Sequence, residues 1–134
     1  MPISLCLEVC HGRPKKHIVD EAKSVCEWVS DLVEDRHFVS VVLINMTHIM
    51  VDGDWSHGAI WYDEDSRDPE VIVIQVCCDL GSLSKQDQTR TFLSTFFHEF
   101  IHYEQIRDKR KVTERNVDKK AEKLLELYLE ERDS

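Results

Sequence analysis

His98, Glu99 and His102 stand in the run His98-Glu99-Phe100-Ile101-His102, an H-E-x-x-H spacing. On a helix that turns about 100° per residue, the two histidines lie about 40° apart on one face, so both imidazoles can reach one ion. Glu99 falls about 100° from His98 and about 60° from His102, at the edge of that face. There its carboxylate can meet a water activated by the ion and serve as general base. A chance match among 7 histidines is the bland alternative. It accounts poorly for a histidine pair and a glutamate in this order on the polar face of an amphipathic helix, with both imidazoles turned toward open space.

A zinc ion held by two histidines needs a third protein ligand, and it keeps a fourth position open if the site is catalytic. The polar run Asp108-Lys109-Arg110-Lys111 suits a tight turn, after which Val117, Ala121, Leu124, Leu125 and Tyr128 resume a helical period. A helical hairpin turning near Asp108 would set His102 opposite Glu114 and His98 opposite Asp118, with Glu122 about 6 Å further along. Glu114 and Asp118, four residues apart, would share a face, so that one binds metal while the other orients a ligand histidine. Glu114 is favoured as the ligand; a turn centred two residues later would exchange the roles. Glu122, Glu126 and Glu130 read as solvated pairs with neighbouring lysines. Cys6, Cys10 and His11 lack the loop geometry and the fourth partner of a metal site, and fit a buried strand better.

These residues need a scaffold. Ser84, with Asp87 three residues on, suits a helix start, and neither Gly nor Pro occurs from there to residue 134. Phe92, Leu93, Phe96, Phe97, Phe100, Ile101 and Tyr103 fill the arc of about 180° opposite the histidines and should pack on a sheet. Upstream, residues 3–9 alternate as a half-buried strand, with Ile3, Leu5, Leu7 and Val9 on one side and Ser4, Cys6 and Glu8 on the other; Gly12 and Pro14 end it. Ile18, Ala22, Val25, Val29 and Leu32 recur at helical spacing and predict a helix to about Val33. Phe38 to Ile44 reads as a second strand, and Asp52, Gly53 and Asp54 as a turn. His57 to Tyr62 and Val71 to Cys77 read as a hairpin whose polar connection contains Pro69. The segment VIVIQV is apolar on both alternating sets, as suits a strand between neighbours and under helices. The expected class is α+β: an N-terminal helix, a small twisted mostly antiparallel sheet, an HExxH active-site helix and a C-terminal glutamate helix, forming a single domain over residues 1–134.

The 134 residues, 42% hydrophobic and 32% charged, suffice for one core and argue against a fibre or a disordered chain. A formal charge of −9, from 26 acidic and 17 basic residues, disfavours nucleic-acid binding. No apolar run approaches the roughly 18 residues of a membrane helix, and Glu8 falls where a signal sequence would be apolar, so the expectation is a cytoplasmic protein without a membrane partner. The 5 cysteines lack a secreted disulfide pattern and read as thiols, mostly buried.

HEFIH on a helix, followed by Glu114-x-x-x-Asp118, resembles the active-site helix and glutamate helix of the gluzincin zinc metallopeptidases. The chain's size and order of elements most resemble the minigluzincins, over about residues 17–130. The resemblance implies a zinc endopeptidase acting on a peptide or protein, with His98, His102 and Glu114 on the metal and Glu99 as base. Thr113 stands where the family commonly has Asn before the ligand glutamate, and the spacer from His102 is short beside larger gluzincins. Gly58-Ala59-Ile60-Trp61 followed by VIVIQV is similar to the edge strand and neighbouring strand of gluzincin clefts, which implies that Ala59 and Ile60 offer backbone groups to an extended substrate. For the oxyanion, His48, His57 and Tyr128 are the candidates. ERNVDKKAEKLL also resembles the glutamate helix of the ImmA and IrrE metallopeptidase domain, again with Glu114 as ligand; no separate DNA-reading segment accompanies it. The alternative of another class is a non-catalytic zinc-stabilised module that binds a peptide without cutting it, and the intact Glu99 argues against it.

Overall fold

The computed structural model describes residues 5–133. Strand β1 (Leu5–Cys10) is followed by helix α1 (Lys16–Val29), a 3-10 turn over Ser30–Leu32, and strand β2 (Phe38–Ile44). Ile3 and Ser4 of the expected first strand lie outside the described residues. α1 buries Ile18, Ala22, Val25 and Val29, the face its spacing predicts. It stops short of Val33 because the chain tightens at Ser30, whose hydroxyl donates to the Glu27 carbonyl, and Val33 is already extended.

β5 (Gly58–Tyr62) and β6 (Val71–Cys77) form the expected antiparallel hairpin, Gly58 opposite Val76 and Tyr62 opposite Ile72. The four-stranded sheet has the order β1-β2-β6-β5, which puts VIVIQV at its centre and β5 at an edge. The pairing otherwise differs from the mostly antiparallel expectation: β1 runs parallel to β2, and β2 runs parallel to β6. Parallel neighbours need long crossovers, which α1 and the excursion through residues 45–70 supply. An apolar run reports burial on both faces but not the direction of the strand beside it.

That excursion also carries a second hairpin, β3 (Ile49–Val51) and β4 (Asp54–Ser56), turning at Asp52 and Gly53, both with positive φ. This is the Asp-Gly two-residue turn expected there, flanked by strands too short to leave a periodic signal. Met50 and Trp55 face each other across it, both exposed.

α2 (Lys85–Arg107) starts as expected, the Ser84 side chain accepting the Asp87 N–H at 3.1 Å. The seven apolar residues of its opposite arc are all buried, and they seat the helix on β6 and β5. α3 (Val117–Arg132) packs along α2 through Val117, Ala121, Leu125 and Tyr128. Its far end is tied to α1 by the buried Glu21, which accepts from the Tyr128 hydroxyl and pairs with Arg132, so the one buried carboxylate at this seam is matched by a cation. Glu122 and Glu126 reach Arg90 on α2, so they clamp the two helices rather than only pairing along their own. Among the described residues no helix is long and apolar enough to cross a membrane.

Candidate metal centre

One turn of α2 presents His98 and His102 with ring centroids 5.1 Å apart. The Glu114 carboxylate spans them: Oε2 lies 3.1 Å from His98 Nε2 and Oε1 lies 2.9 Å from His102 Nε2. One ligand atom from each residue falls within 4.8 Å of the others, the only such group of three His, Cys, Asp or Glu among the described residues. Ligands at tetrahedral zinc, with bonds of about 2.0–2.1 Å, sit about 3.3 Å from one another. Two imidazole nitrogens and a carboxylate at these separations therefore suit zinc in both spacing and chemistry. Cys77 and Cys78 are not part of it. Burial pushes their thiols up to about 11 and about 12.

The connection differs from the expected helical hairpin. α2 ends at Arg107 and the chain reverses at Asp108 and Lys109, the latter with φ 56°, which is where the turn is expected. The next helix does not begin until Val117, after Asn116 in the left-handed region at φ 62°. Glu114 thus lies in the non-helical segment ahead of the C-terminal helix and shares no helical face with Asp118. Non-helical chain covers the distance that the helical argument assigned to a turn of helix, and the same pairs still meet. Glu114 reaches His102, and Asp118, in the first turn of α3, meets His98 Nδ1 at 2.7 Å. An Asp118 carboxylate at Nδ1 accepts a hydrogen bond from that ring nitrogen and leaves the Nε2 lone pair directed at the Glu114 side.

The environment is graded. The Glu114 side chain is 73% exposed and that of His98 28%, but His102 is only 4% exposed. The expectation that both histidines look into open space therefore fails: His98 is partly exposed with Glu114 and Asp118 at its two nitrogens, and His102 is buried with Gln105 and Glu114 at its own. Gln105 Oε1 lies 3.0 Å from His102 Nδ1. Glu99 is buried, and desolvation raises its carboxyl above the ordinary value, opposed by the two imidazoles and reinforced by Glu114. A carboxyl raised in this way takes and returns a proton more readily at neutral pH than a solvated one.

A cleft of about 230 Å³ opens beside these groups, walled by Ser94, Thr95, His98 and Glu99 of α2, by Asp118, and on the sheet side by Ser56, His57 and Gly58. Gly58 is what lets the edge strand approach. A Cβ there would stand 2.8 Å from the Thr95 methyl, 2.9 Å from the Gln75 carbonyl and 3.5 Å from Glu99 Cγ. Ala59 and Ile60 follow in β5, one and two residues beyond the strip that lines the cleft. Of the oxyanion candidates, His57 stands on the cleft wall with His48 against it, ring centroids 4.4 Å apart. Tyr128 is committed to Glu21 at the α1–α3 seam. Cys10 is half-buried and His11 exposed at the end of β1, and neither belongs to a metal-holding group among the described residues.

No family model, no curated protein and no solved structure matches the chain. Fold and site therefore define only a class: an α+β domain with a His98–His102–Glu114 cluster, consistent with a gluzincin-like zinc-binding metallopeptidase. Spacing pointed to the cluster in advance. Gln105 and Gly58 were not singled out, although the first is three residues from His102 and the second opens an apolar strand, the two positions where a ligand's partner and a close backbone approach would be sought.

Proposed function

We propose that the protein is a zinc-dependent endopeptidase of the minigluzincin kind, with residues 1–134 as one catalytic domain. The observation that carries this reading is the Glu114 carboxylate spanning both Nε2 atoms, 3.1 and 2.9 Å away, beside a buried Glu99. His98, His102 and Glu114 would hold the ion. When bound, zinc supplies a Lewis acid that polarises a carbonyl and makes water more acidic. Glu99 takes the proton of the attacking water and delivers it to the leaving amine, a role its raised carboxyl suits. Asp118 fixes the His98 ring. An extended substrate would lie along the edge of β5, with backbone groups of Ala59 and Ile60 as its partners.

Incubation with an unfolded casein-like chain, read by mass spectrometry, tests the reading. Fragments should accumulate with the zinc-loaded protein and be absent after chelation. A protein that keeps zinc and retains the chain intact, also after its own termini are trimmed, would instead be a peptide-binding module.

A further inference from the structure

Gln105 is buried on α2, three residues beyond His102, and its amide makes three contacts. Oε1 lies 3.0 Å from His102 Nδ1 and 3.3 Å from the backbone nitrogen of Thr113, while Nε2 donates to the Thr113 carbonyl at 3.1 Å. One side chain thus meets both main-chain groups of the residue that precedes Glu114. A backbone N–H can only donate and a backbone C=O can only accept. The amide is therefore held in one orientation, oxygen toward the N–H and NH2 toward the C=O; the flipped amide would oppose donor to donor and acceptor to acceptor.

With that orientation fixed, the atom facing His102 Nδ1 is an acceptor. Nδ1 carries the proton and donates, and the lone pair available to a metal is on Nε2, the nitrogen on the Glu114 side. Two ligands from different parts of the chain are thereby set by one group. We propose that Gln105 is a positioning residue of the metal centre, which locks His102 in its Nδ1–H form and at the same time anchors the Thr113–Glu114 segment that supplies the carboxylate. The proposal rests on the metal-site reading above.

The test uses the full chain, 15N-labelled, without metal and with one equivalent of zinc. In wild type the Thr113 amide should exchange slowly with solvent in both forms, and the zinc form should show a slowly exchanging ring proton on His102 Nδ1. Gln105→Leu fills the space without a polar atom. It should lower zinc affinity by about 10- to 100-fold in chelator competition and lose protection at both the Thr113 amide and the ring proton. Gln105→Glu keeps an acceptor for His102 and for the Thr113 N–H but sets a second acceptor against the Thr113 carbonyl. Its ring proton should persist while Thr113 loosens, with affinity between the other two. The proposal is overturned if a folded Gln105→Leu protein binds zinc as tightly as wild type, or if zinc-loaded wild type carries the His102 proton on Nε2. Should the leucine variant not fold, the wild-type ring proton and the glutamate variant decide. A wild-type chain that takes up no zinc brings down the metal-site reading and this proposal with it, whereas unchanged affinity in the variant brings down this proposal alone.

Discussion

Helix α2 borders two histidine networks on different faces, and the two are wired differently. In one, His37, buried just ahead of β2, has Nε2 3.0 Å from Asp68 Oδ1 and Nδ1 2.8 Å from the Tyr103 hydroxyl, which also accepts the Glu34 N–H at 3.0 Å. Every group there has a complementary partner: the ring donates to the carboxylate and accepts from the hydroxyl, and Arg36 takes the remaining carboxylate charge. On the other face, the outer nitrogens of His98 and His102 are occupied by Asp118 and Gln105, and both inner nitrogens converge on the same carboxylate. The first circuit closes on itself; the second directs acceptors at a common point, which is the arrangement a cation reconciles. A histidine next to a carboxylate thus identifies neither a metal site nor a structural knot. What separates them is whether the donors and acceptors already balance.

The sharpest way to break this contrast is metal content. About one zinc per chain is expected in wild type, since three protein ligands and an open position are the pattern of a catalytic site. His98→Ala combined with His102→Ala should abolish it by elemental analysis. His37→Ala should leave it intact while lowering unfolding free energy by about 1–3 kcal/mol, because Asp68 and the Tyr103 hydroxyl lose a buried partner. Equal zinc content in all three proteins would erase the distinction. Next in size, Glu99→Gln keeps volume and zinc but removes the base, so turnover of an unfolded substrate should fall by about 10²–10⁴-fold. A smaller loss would mean that Glu99 is buried for packing and not for proton transfer.

The His98–His102 cluster was largely legible in the sequence and the His37 network was not. His98, Glu99 and His102 sit within one helical turn, so local periodicity alone orients them, and Phe92 through Tyr103 identify the face turned away. Glu114 and Asp118 followed from turn symmetry. The pairs meet as that symmetry has them, although Glu114 lies in a non-helical segment and α3 begins only at Val117, after Asn116. His37, Asp68 and Tyr103 are far apart in the chain and nothing in their spacing links them. The same limit explains the sheet: Phe38–Ile44 and Val71–Cys77 were bounded correctly, whereas their parallel pairing depends on crossovers that a pattern within one strand does not record. Gln105 escaped notice because a single polar residue on a helix gives no sign of which backbone it will face.

Within the His98–His102 cluster, the two carboxylates can be ranked. Glu114→Ala removes a ligand and should leave zinc too weakly held to survive a chelator. Asp118→Ala removes only the partner of the His98 ring and should weaken binding by about 10- to 100-fold. Competition titrations in the opposite order would make Asp118 the ligand and Glu114 its support.

The smallest expected effect belongs to the His37 network and is a matter of pH. The hydrogen bond from His37, with Arg36 beside it, holds the Asp68 carboxyl below the usual carboxylate range, against a partial desolvation that acts the other way. A carboxyl whose pKa is lower folded than unfolded stabilises the native state above its unfolded value of about 3.9, and that contribution is lost as pH falls through the lowered native value. Asp68→Asn removes the titration and keeps the shape. In denaturant melts, wild type should be the more stable of the two at neutral pH, and the gap should shrink only below about pH 4. The Asp68 side chain is partly exposed, so salt should narrow the gap as well. Zinc content should be the same in the two proteins, because this circuit balances without an ion. A gap that stays constant to strongly acid pH would show that Asp68 acts by shape and not by charge, and a loss of zinc in Asp68→Asn would show that the two networks are coupled after all.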